Sequence, residues 1–132
     1  MPPTPHDAAG STIKWRLFNA AIDVSFSVPN SYQFQRNVQA TRMPDPCSGS
    51  YTLIVRSDGT LGKQFGRPTM RLVGAAATQA LADLETAWAT IGPFTLVTPT
   101  GTLSVYVDPT QGDFLKQNFG REWQVQMGFV EA

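Results

Sequence analysis

The stretch that decides the fold runs from Arg67 to Ala132 and opens with RPTMRLVGAAATQALADLETAWATIGPFTLV, residues 67–97. Residues 75–91 are rich in alanine and contain neither glycine nor proline, which favours an α-helix. Gly92-Pro93 ends this helix, because proline cannot continue it. Apolar residues recur at helical spacing, so we expect one face to pack on a sheet through Leu81, Leu84, Trp88 and Ile91.

Strands are predicted on both sides of this helix, and alternating polarity marks the face that each buries. Their predicted positions are residues 69–74, 94–97, 102–107 and 121–130. The last of these reads as one long strand whose polar face carries Glu122, Gln124 and Gln126. Between helix and sheet we expect a common core made of Leu81, Leu84, Trp88, Leu103, Val105, Trp123 and Val125.

The first half of the chain is predicted to form further strands. Alternation predicts strands at residues 13–17 and 22–28, joined as a hairpin at Asn19-Ala20. The second strand has a polar face of Asp23, Ser25 and Ser27. Residues 32–42 fit a polar edge strand, and the prolines and glycine of residues 43–50 predict a loop.

Asp58-Gly59 is a strong turn signal between strands predicted at residues 51–55 and 61–67. Together these strands form a candidate projecting hairpin. We expect it to contact neighbouring copies of the chain, and the candidate contact residues are Asp58, Gly59, Lys63, Phe65 and Arg67.

Length and composition indicate one globular domain, since 132 residues are enough for one core and too few for two. Residues 1–11 hold three prolines and few apolar groups, so we predict a flexible N-terminal arm that only a partner orders, followed by one β-rich domain, residues 12–132. The N-terminus lacks the basic and apolar regions of a signal peptide, and no apolar run is long enough to span a membrane. A single cysteine, Cys47, excludes an internal disulfide and fits a reducing compartment.

The formal net charge is zero, yet the charges are unevenly distributed. Residues 14–71 carry eight Lys or Arg and three Asp or Glu, whereas residues 72–132 carry two and six. One interpretation is chance scatter over a solvated surface. The other is that copies attract each other, the basic part of one to the acidic part of the next.

The sequence has no catalytic or metal-binding signature. Its only histidine, His6, lies in the predicted arm, and Cys47 lies in a loop without a base nearby in sequence. Clustered metal ligands are absent as well, so we predict no enzyme, no cofactor and no metal. Trp15, Trp88 and Trp123 can be read as a sugar-binding platform, but their places on apolar stripes favour core packing.

The order of strand, helix, strand, hairpin and final strand resembles the tail-tube fold of long-tailed bacteriophages, in particular distal tail proteins and related small tail components. The likeness is carried by residues 68–74, the helix with Leu81, Leu84 and Trp88, residues 94–97, residues 102–107 and residues 120–129. It covers about half of the chain as patterns of polarity and order. The chain is too short for a second, peripheral domain of the kind that distal tail proteins carry.

The resemblance implies an antiparallel β-sandwich or barrel with one helix packed on it, and a structural role without catalysis. It implies a ring, commonly a hexamer, around a channel through which DNA passes without specific binding. It further implies other tail proteins as partners, and a place in the virion tail after assembly in the bacterial host cytoplasm.

A channel surface should be polar and poor in basic groups, because phosphate contacts would retain DNA. Two strand faces meet this description, and the candidate channel-facing residues are Asp23, Ser25, Ser27, Glu122, Gln124 and Gln126. Both faces could instead meet water on the outside. The alternative function is a small β-sandwich that binds a carbohydrate or another ligand, which several tryptophans exposed in one cleft would favour.

Overall fold

The structure is a computed structural model, and it describes residues 3–10, 13–29, 32–36, 40–44, 51–55 and 63–132. In these ranges the chain is mainly β with one α-helix, as the sequence predicts. The helix, α1, spans Ala77–Thr90, and a short 3-10 turn spans Pro109–Gln111. The strands are β1 His6–Asp7, β2 Trp15–Phe18, β3 Asp23–Phe26, β4 Gln35–Arg36, β5 Ala40–Pro44, β6 Tyr51–Val55, β7 Gln64–Gly66, β8 Thr69–Val73, β9 Phe94–Thr98, β10 Gly101–Val107, β11 Leu115–Asn118, β12 Glu122–Gln126 and β13 Phe129–Glu131.

Hydrogen bonds join these strands into three sheets. The largest has the order β1-β3-β2-β9-β10-β13-β7-β4, the second has the order β11-β12-β8, and β5 and β6 form a separate two-stranded hairpin. Among these pairs only β1 and β3 run parallel, so the fold is not wholly antiparallel.

Two junctions connect the larger sheets and close a circuit of strands. On one side β12 continues into β13, so a single segment of chain belongs to both sheets. On the other side Ser27, just after β3, exchanges backbone hydrogen bonds of 3.1 and 2.8 Å with Arg71 of β8. The circuit β3-β2-β9-β10-β13-β12-β8 thus returns to β3, and its buried side chains share one core with α1.

The final strand is interrupted, whereas the sequence predicts one strand over residues 121–130. Gly128 lies where the chain changes sheets, and a Cβ added there would sit 2.7 Å from Cβ of Gln111 and 2.8 Å from the carbonyl oxygen of Asp108. Such contacts are too close for a side chain, so this crossing requires glycine. The predicted apolar face is confirmed on both strands, since Val125, Met127 and Phe129 are buried.

The prediction of a flexible arm over residues 1–11 is contradicted for its central part. His6 and Asp7 form β1, and Ala8 and Ala9 are buried in the core. The backbone N–H of Ala8 donates to the carbonyl of Ser25, and the carbonyl of Ala8 accepts from Val73. This segment therefore fills the seam between β3 and β8. Small alanine side chains fit in such a narrow seam. Two adjacent alanines do not alternate with polar residues, so the sequence pattern does not predict a strand here.

The predicted hairpin between residues 51–55 and 61–67 does not form as proposed. The strand at residues 51–55 is confirmed as β6, but it pairs with β5, which includes Met43 and Pro44 of the predicted loop. Residues 64–66 form β7 and pair with β13 and β4 inside the large sheet. The turn signal at Asp58-Gly59 lies outside the described residues, as does the remainder of the predicted loop, residues 45–50.

The helix is confirmed within two residues at each end, and it packs against β1, β3, β8 and β12. Its buried face differs in part from the predicted stripe. Leu81 and Leu84 are buried and Trp88 is half-buried, while Ile91 lies beyond the helix end with 43% of its surface exposed. Alanines complete the buried face instead, at positions 77, 80 and 87. The seven predicted core residues all belong to the core or pack against it.

Candidate functional surface

Polar side chains cover the outer face of the three-stranded sheet β11-β12-β8. Gln124 of β12 lies directly opposite Gln117 of β11 on one side and Arg71 of β8 on the other. Directly opposed residues of antiparallel strands share a face, so these three side chains are neighbours. The same register places Gln126 opposite Thr69, and Glu122 lies two residues before Gln124 on the same face. We call this surface the amide face, and its polar residues are Thr69, Arg71, Gln117, Glu122, Gln124 and Gln126. Two exposed apolar side chains share its β11 border, because Leu115 lies opposite Gln126 and Phe119 opposite Glu122.

The amide face is polar, and its charges compensate each other. Nε of Arg71 donates to a carboxylate oxygen of Glu122 at 2.6 Å. Nε2 of Gln126 donates to the hydroxyl of Thr69 at 2.8 Å. A shallow groove of about 220 Å³ crosses the face and is bordered by Lys116, whose ammonium group lies 2.7 Å from Glu85 of α1. Both cationic side chains at this surface therefore have a carboxylate partner.

The alternation of β12 explains why these side chains point outward together. Val125 is fully buried and Trp123 half-buried against the core, which leaves Glu122, Gln124 and Gln126 on the opposite side. The structure thus brings three of the six predicted channel-facing residues onto one accessible polar surface. That this surface lines a channel stays a prediction.

The other three predicted channel-facing residues do not form an accessible face. Asp23 and Ser25 are only 7% and 8% exposed. The guanidinium of Arg16 holds the Asp23 carboxylate through two hydrogen bonds of 2.8 and 2.7 Å, and this pairing raises the pKa of Arg16. The hydroxyl of Ser27 donates to the carbonyl of Ala9. Strand β1 lies alongside β3 in the same sheet, and the Arg16 guanidinium and the carbonyl of Ala9 engage these polar side chains. The burial of Asp23 and Ser25 contradicts the prediction that this face meets a channel or water.

The predicted subunit-contact residues are dispersed, and two of them serve the chain's own fold. Phe65 is half-buried in β7, opposite Val130 and Gln35. The guanidinium of Arg67 donates to the carbonyl oxygens of Gln111 and Asp113 at 3.0 and 2.6 Å. Lys63 is exposed, while Asp58 and Gly59 lie outside the described residues. The structure contradicts the projecting hairpin for both residues, because Phe65 lies in β7, an inner strand of the large sheet, and Arg67 follows it and binds residues 111–113. That these residues contact neighbouring copies stays a prediction.

Strand β11 was not predicted, and it supplies one border of the amide face. All four of its residues are exposed. Its sequence, Leu-Lys-Gln-Asn, does not alternate between apolar and polar residues, so the pattern does not predict a strand. Among the described residues it pairs only with β12, which leaves its outer edge open. Two large apolar side chains lie along this edge, Leu115 with 50% and Phe119 with 53% of their surface exposed. An open edge with apolar side chains is a common site for pairing with another chain.

The remaining candidate groups are separated from one another. Trp15 packs with Tyr32 and Phe34, Trp88 lies 6.0 Å from the ring of Phe114, and Trp123 faces the core. In the part of the chain that the structure describes, no three His, Cys, Asp or Glu side chains lie close enough to hold a metal ion. No helix in that part is long and apolar enough to cross a membrane.

No protein-family model matches this chain, and no curated protein sequence does.

Proposed function

We propose that this chain is a structural subunit of a bacteriophage tail, of the distal tail or tail-tube type, and that copies of it form a ring around the DNA channel. The amide face carries this proposal. It is an accessible sheet surface on which Arg71 is neutralised by Glu122, while Lys116 beside it is neutralised by Glu85. DNA sliding over such a surface finds hydrogen-bonding groups but no free cation to hold its phosphates.

The open edge of β11 supports the ring. A closed ring needs a head-to-tail contact, in which one surface of a copy meets a different surface of the next. The edge of β8 cannot serve, because Ser27 and Ala8 of the same chain already occupy it. A neighbouring copy at β11 would continue the sheet and extend the amide face around the ring, covering the exposed Leu115 and Phe119 from one side.

The order of strands and helix that resembles the tail-tube fold is consistent with this role. In this proposal the partners are other copies, other tail proteins and DNA that passes without specific binding, and the location is the tail of the virion. The alternative function is a carbohydrate-binding module, and the version of it that uses several tryptophans in one cleft is less well supported, because the three tryptophans lie in three separate places.

Lysine substitutions on the amide face test the proposal. We expect phage particles carrying Gln117→Lys and Gln124→Lys to assemble but to eject DNA more slowly, because two unpaired cations per subunit would bind phosphates. The delay should shrink as salt is raised, since phosphate contacts are screened. Gln79→Lys, the same change on the exposed side of α1, is the matched control.

The result depends on confirming that the substituted subunit is present in the particle. If the ejection kinetics are unchanged with both lysines in place, the amide face does not line the channel. An equal delay with Gln79→Lys would show that added charge acts elsewhere.

A further inference from the structure

A second concave surface lies in the large sheet, apart from the amide face. It is a groove of about 510 Å³ between the start of β2, the segment that leads into β4, β7 and the β9–β10 turn. Its volume falls within the range of about 300–1,000 Å³ that is usual for small-molecule sites. It shares no lining residue with the amide face.

Three aromatic rings form one wall of this groove. The ring centroids of Trp15, Tyr32 and Phe34 lie 5.5–5.9 Å apart, in edge-on or tilted arrangements. Gly66 of β7 allows this packing, because a Cβ there would run into Tyr32 and Phe34. Trp15 is only 7% exposed, whereas Tyr32 and Phe34 are half-buried and keep part of their rings accessible.

Neutral hydrogen-bonding groups line the opposite side. The side-chain amides of Gln33 and Gln64 border the groove, and the structure shows no hydrogen-bond partner for either amide among the described residues. The hydroxyl of Thr102 also borders it. None of the described lining residues carries a charge at neutral pH. Burial raises the pKa of Tyr32, partly offset by a hydrogen bond from the backbone of Arg67, so its phenol stays protonated.

We infer that this groove is a binding site for a neutral saccharide. A sugar ring presents a C–H face to an aromatic side chain and hydroxyl groups at its rim. A primary amide both donates and accepts, so it can satisfy two neighbouring hydroxyls at once. A charged ligand would have to leave water without a compensating charge in the groove, which disfavours it. This inference is independent of the ring proposed above.

Nuclear magnetic resonance offers a direct test on the intact chain. The three tryptophans give three indole N–H signals, of which only that of Trp15 lies in the groove. The probes are maltotriose, cellotriose and triacetylchitotriose, with a trimer of galacturonic acid as the charged counterpart. At least one neutral trimer should shift the Trp15 indole and the side-chain amides of Gln33 and Gln64 saturably. The Trp88 and Trp123 signals should stay in place.

A double variant locates the site. Gln33→Ala with Gln64→Ala should weaken binding about tenfold or more, because both amide contacts are lost. The matched control is Gln117→Ala with Gln124→Ala on the amide face, which should bind as the wild type does. The inference is overturned if none of the neutral trimers causes a saturable shift. It is also overturned if the groove variant binds normally, or if the charged trimer binds equally well. Groove signals that shift with protein concentration alone would assign the groove to a second copy instead.

Discussion

At the scale of single residues, Asp108 holds the junction where the chain crosses between the sheets. Its carboxylate accepts hydrogen bonds from the backbone N–H of Thr110 and from Nε2 of Gln111, both at 3.1 Å. Nε2 of Gln111 also reaches the carbonyl of Phe129 at 2.8 Å, and the N–H of Asp108 donates to the carbonyl of Gly128. Burial alone would raise the pKa of Asp108, but the hydrogen bonds that its carboxylate accepts from the Thr110 hydroxyl, from Gln111 and from the Thr110 N–H outweigh it and hold the pKa below its usual value.

This lowered pKa predicts how stability changes with pH. A carboxylate whose pKa is lower in the folded state stabilises the protein above the unfolded pKa, and that contribution is lost as pH falls through the folded pKa. Asp108→Ala should therefore lower the free energy of unfolding by about 1 kcal/mol at neutral pH, as for the loss of a capping side chain. The deficit should narrow below the unfolded value of 3.8.

Urea titrations at neutral pH and at about pH 3 measure this deficit. The control is Asp113→Ala, an exposed carboxylate in the same loop, which should change stability by less than about 0.5 kcal/mol. A deficit that stays the same at both pH values would contradict the role given to the Asp108 carboxylate.

At the scale of elements, β1 is the part whose role differs most from the expectation drawn from sequence. The strand seals the seam between β3 and β8, and it is also fastened to α1, because Nδ1 of His6 lies 2.6 Å from Asp83. Next to it the ammonium group of Lys14 lies 2.8 Å from Asp7, and this hydrogen bond lowers the pKa of that carboxyl. Backbone pairing, buried alanines and these two side-chain contacts thus hold one short segment.

Truncated chains distinguish between two interpretations of this segment, an integral strand and a flexible arm. Deleting residues 1–9 should lower the free energy of unfolding by roughly 2–5 kcal/mol, because it opens the core and leaves backbone groups of β3 and β8 unpaired. Deleting residues 1–4 alone, which spares β1, is the control and should change little. Thermal or urea unfolding of both truncated chains measures the difference. Equal stability of the two truncated chains would contradict the role given to β1 and would support the flexible arm that the sequence predicts.

The elements that the sequence predicts well are those whose signal is local. The helix has its alanine-rich run and its proline stop, and the β2–β3 and β9–β10 hairpins have alternation and short links. Alternation also predicts which face of β12 and β13 is buried. It does not predict that the chain changes sheets, because the same alternation continues without a break past Gly128. Only the packing of Gln111 against that glycine reveals it.

The amide face, too, could be predicted from the sequence only in part. Glu122, Gln124 and Gln126 were found because β12 alternates, whereas Arg71 and Gln117 join them only through strand register, which is a non-local property. Asp23 and Ser25 were misjudged for the same reason. Their polar alternation predicts an accessible face, but a strand distant in sequence pairs alongside them and the Arg16 guanidinium binds Asp23, and both residues are buried.

At the scale of the whole molecule, the open edge of β11 gives the proposed ring a definite contact. The uneven charge distribution is partly used within one chain, since Arg71 of the basic half pairs with Glu122 of the acidic half. Charge attraction between copies therefore has fewer free groups than the sequence suggests. Apolar contact and strand pairing at β11 become the main candidates for holding copies together.

Charged substitutions at this edge test the contact. Leu115→Lys with Phe119→Lys should shift the protein from assemblies toward monomers, because each lysine would lose part of its hydration at the contact and would repel its neighbour. Stability of the monomer should change little, since both side chains are about half exposed. Tyr106→Lys, at an exposed aromatic residue of β10, is the control. Sedimentation velocity over a range of concentrations measures the shift, and equal assembly of both variants would exclude this edge.

Electron microscopy of the purified wild-type protein, combined with mass photometry, tests the proposed function most directly. We predict closed rings with a central channel and a mass close to six times the 14.4 kDa of one chain, with the amide face turned toward the channel. A protein that remains monomeric at high concentration, or that forms assemblies without a channel, would contradict the proposal.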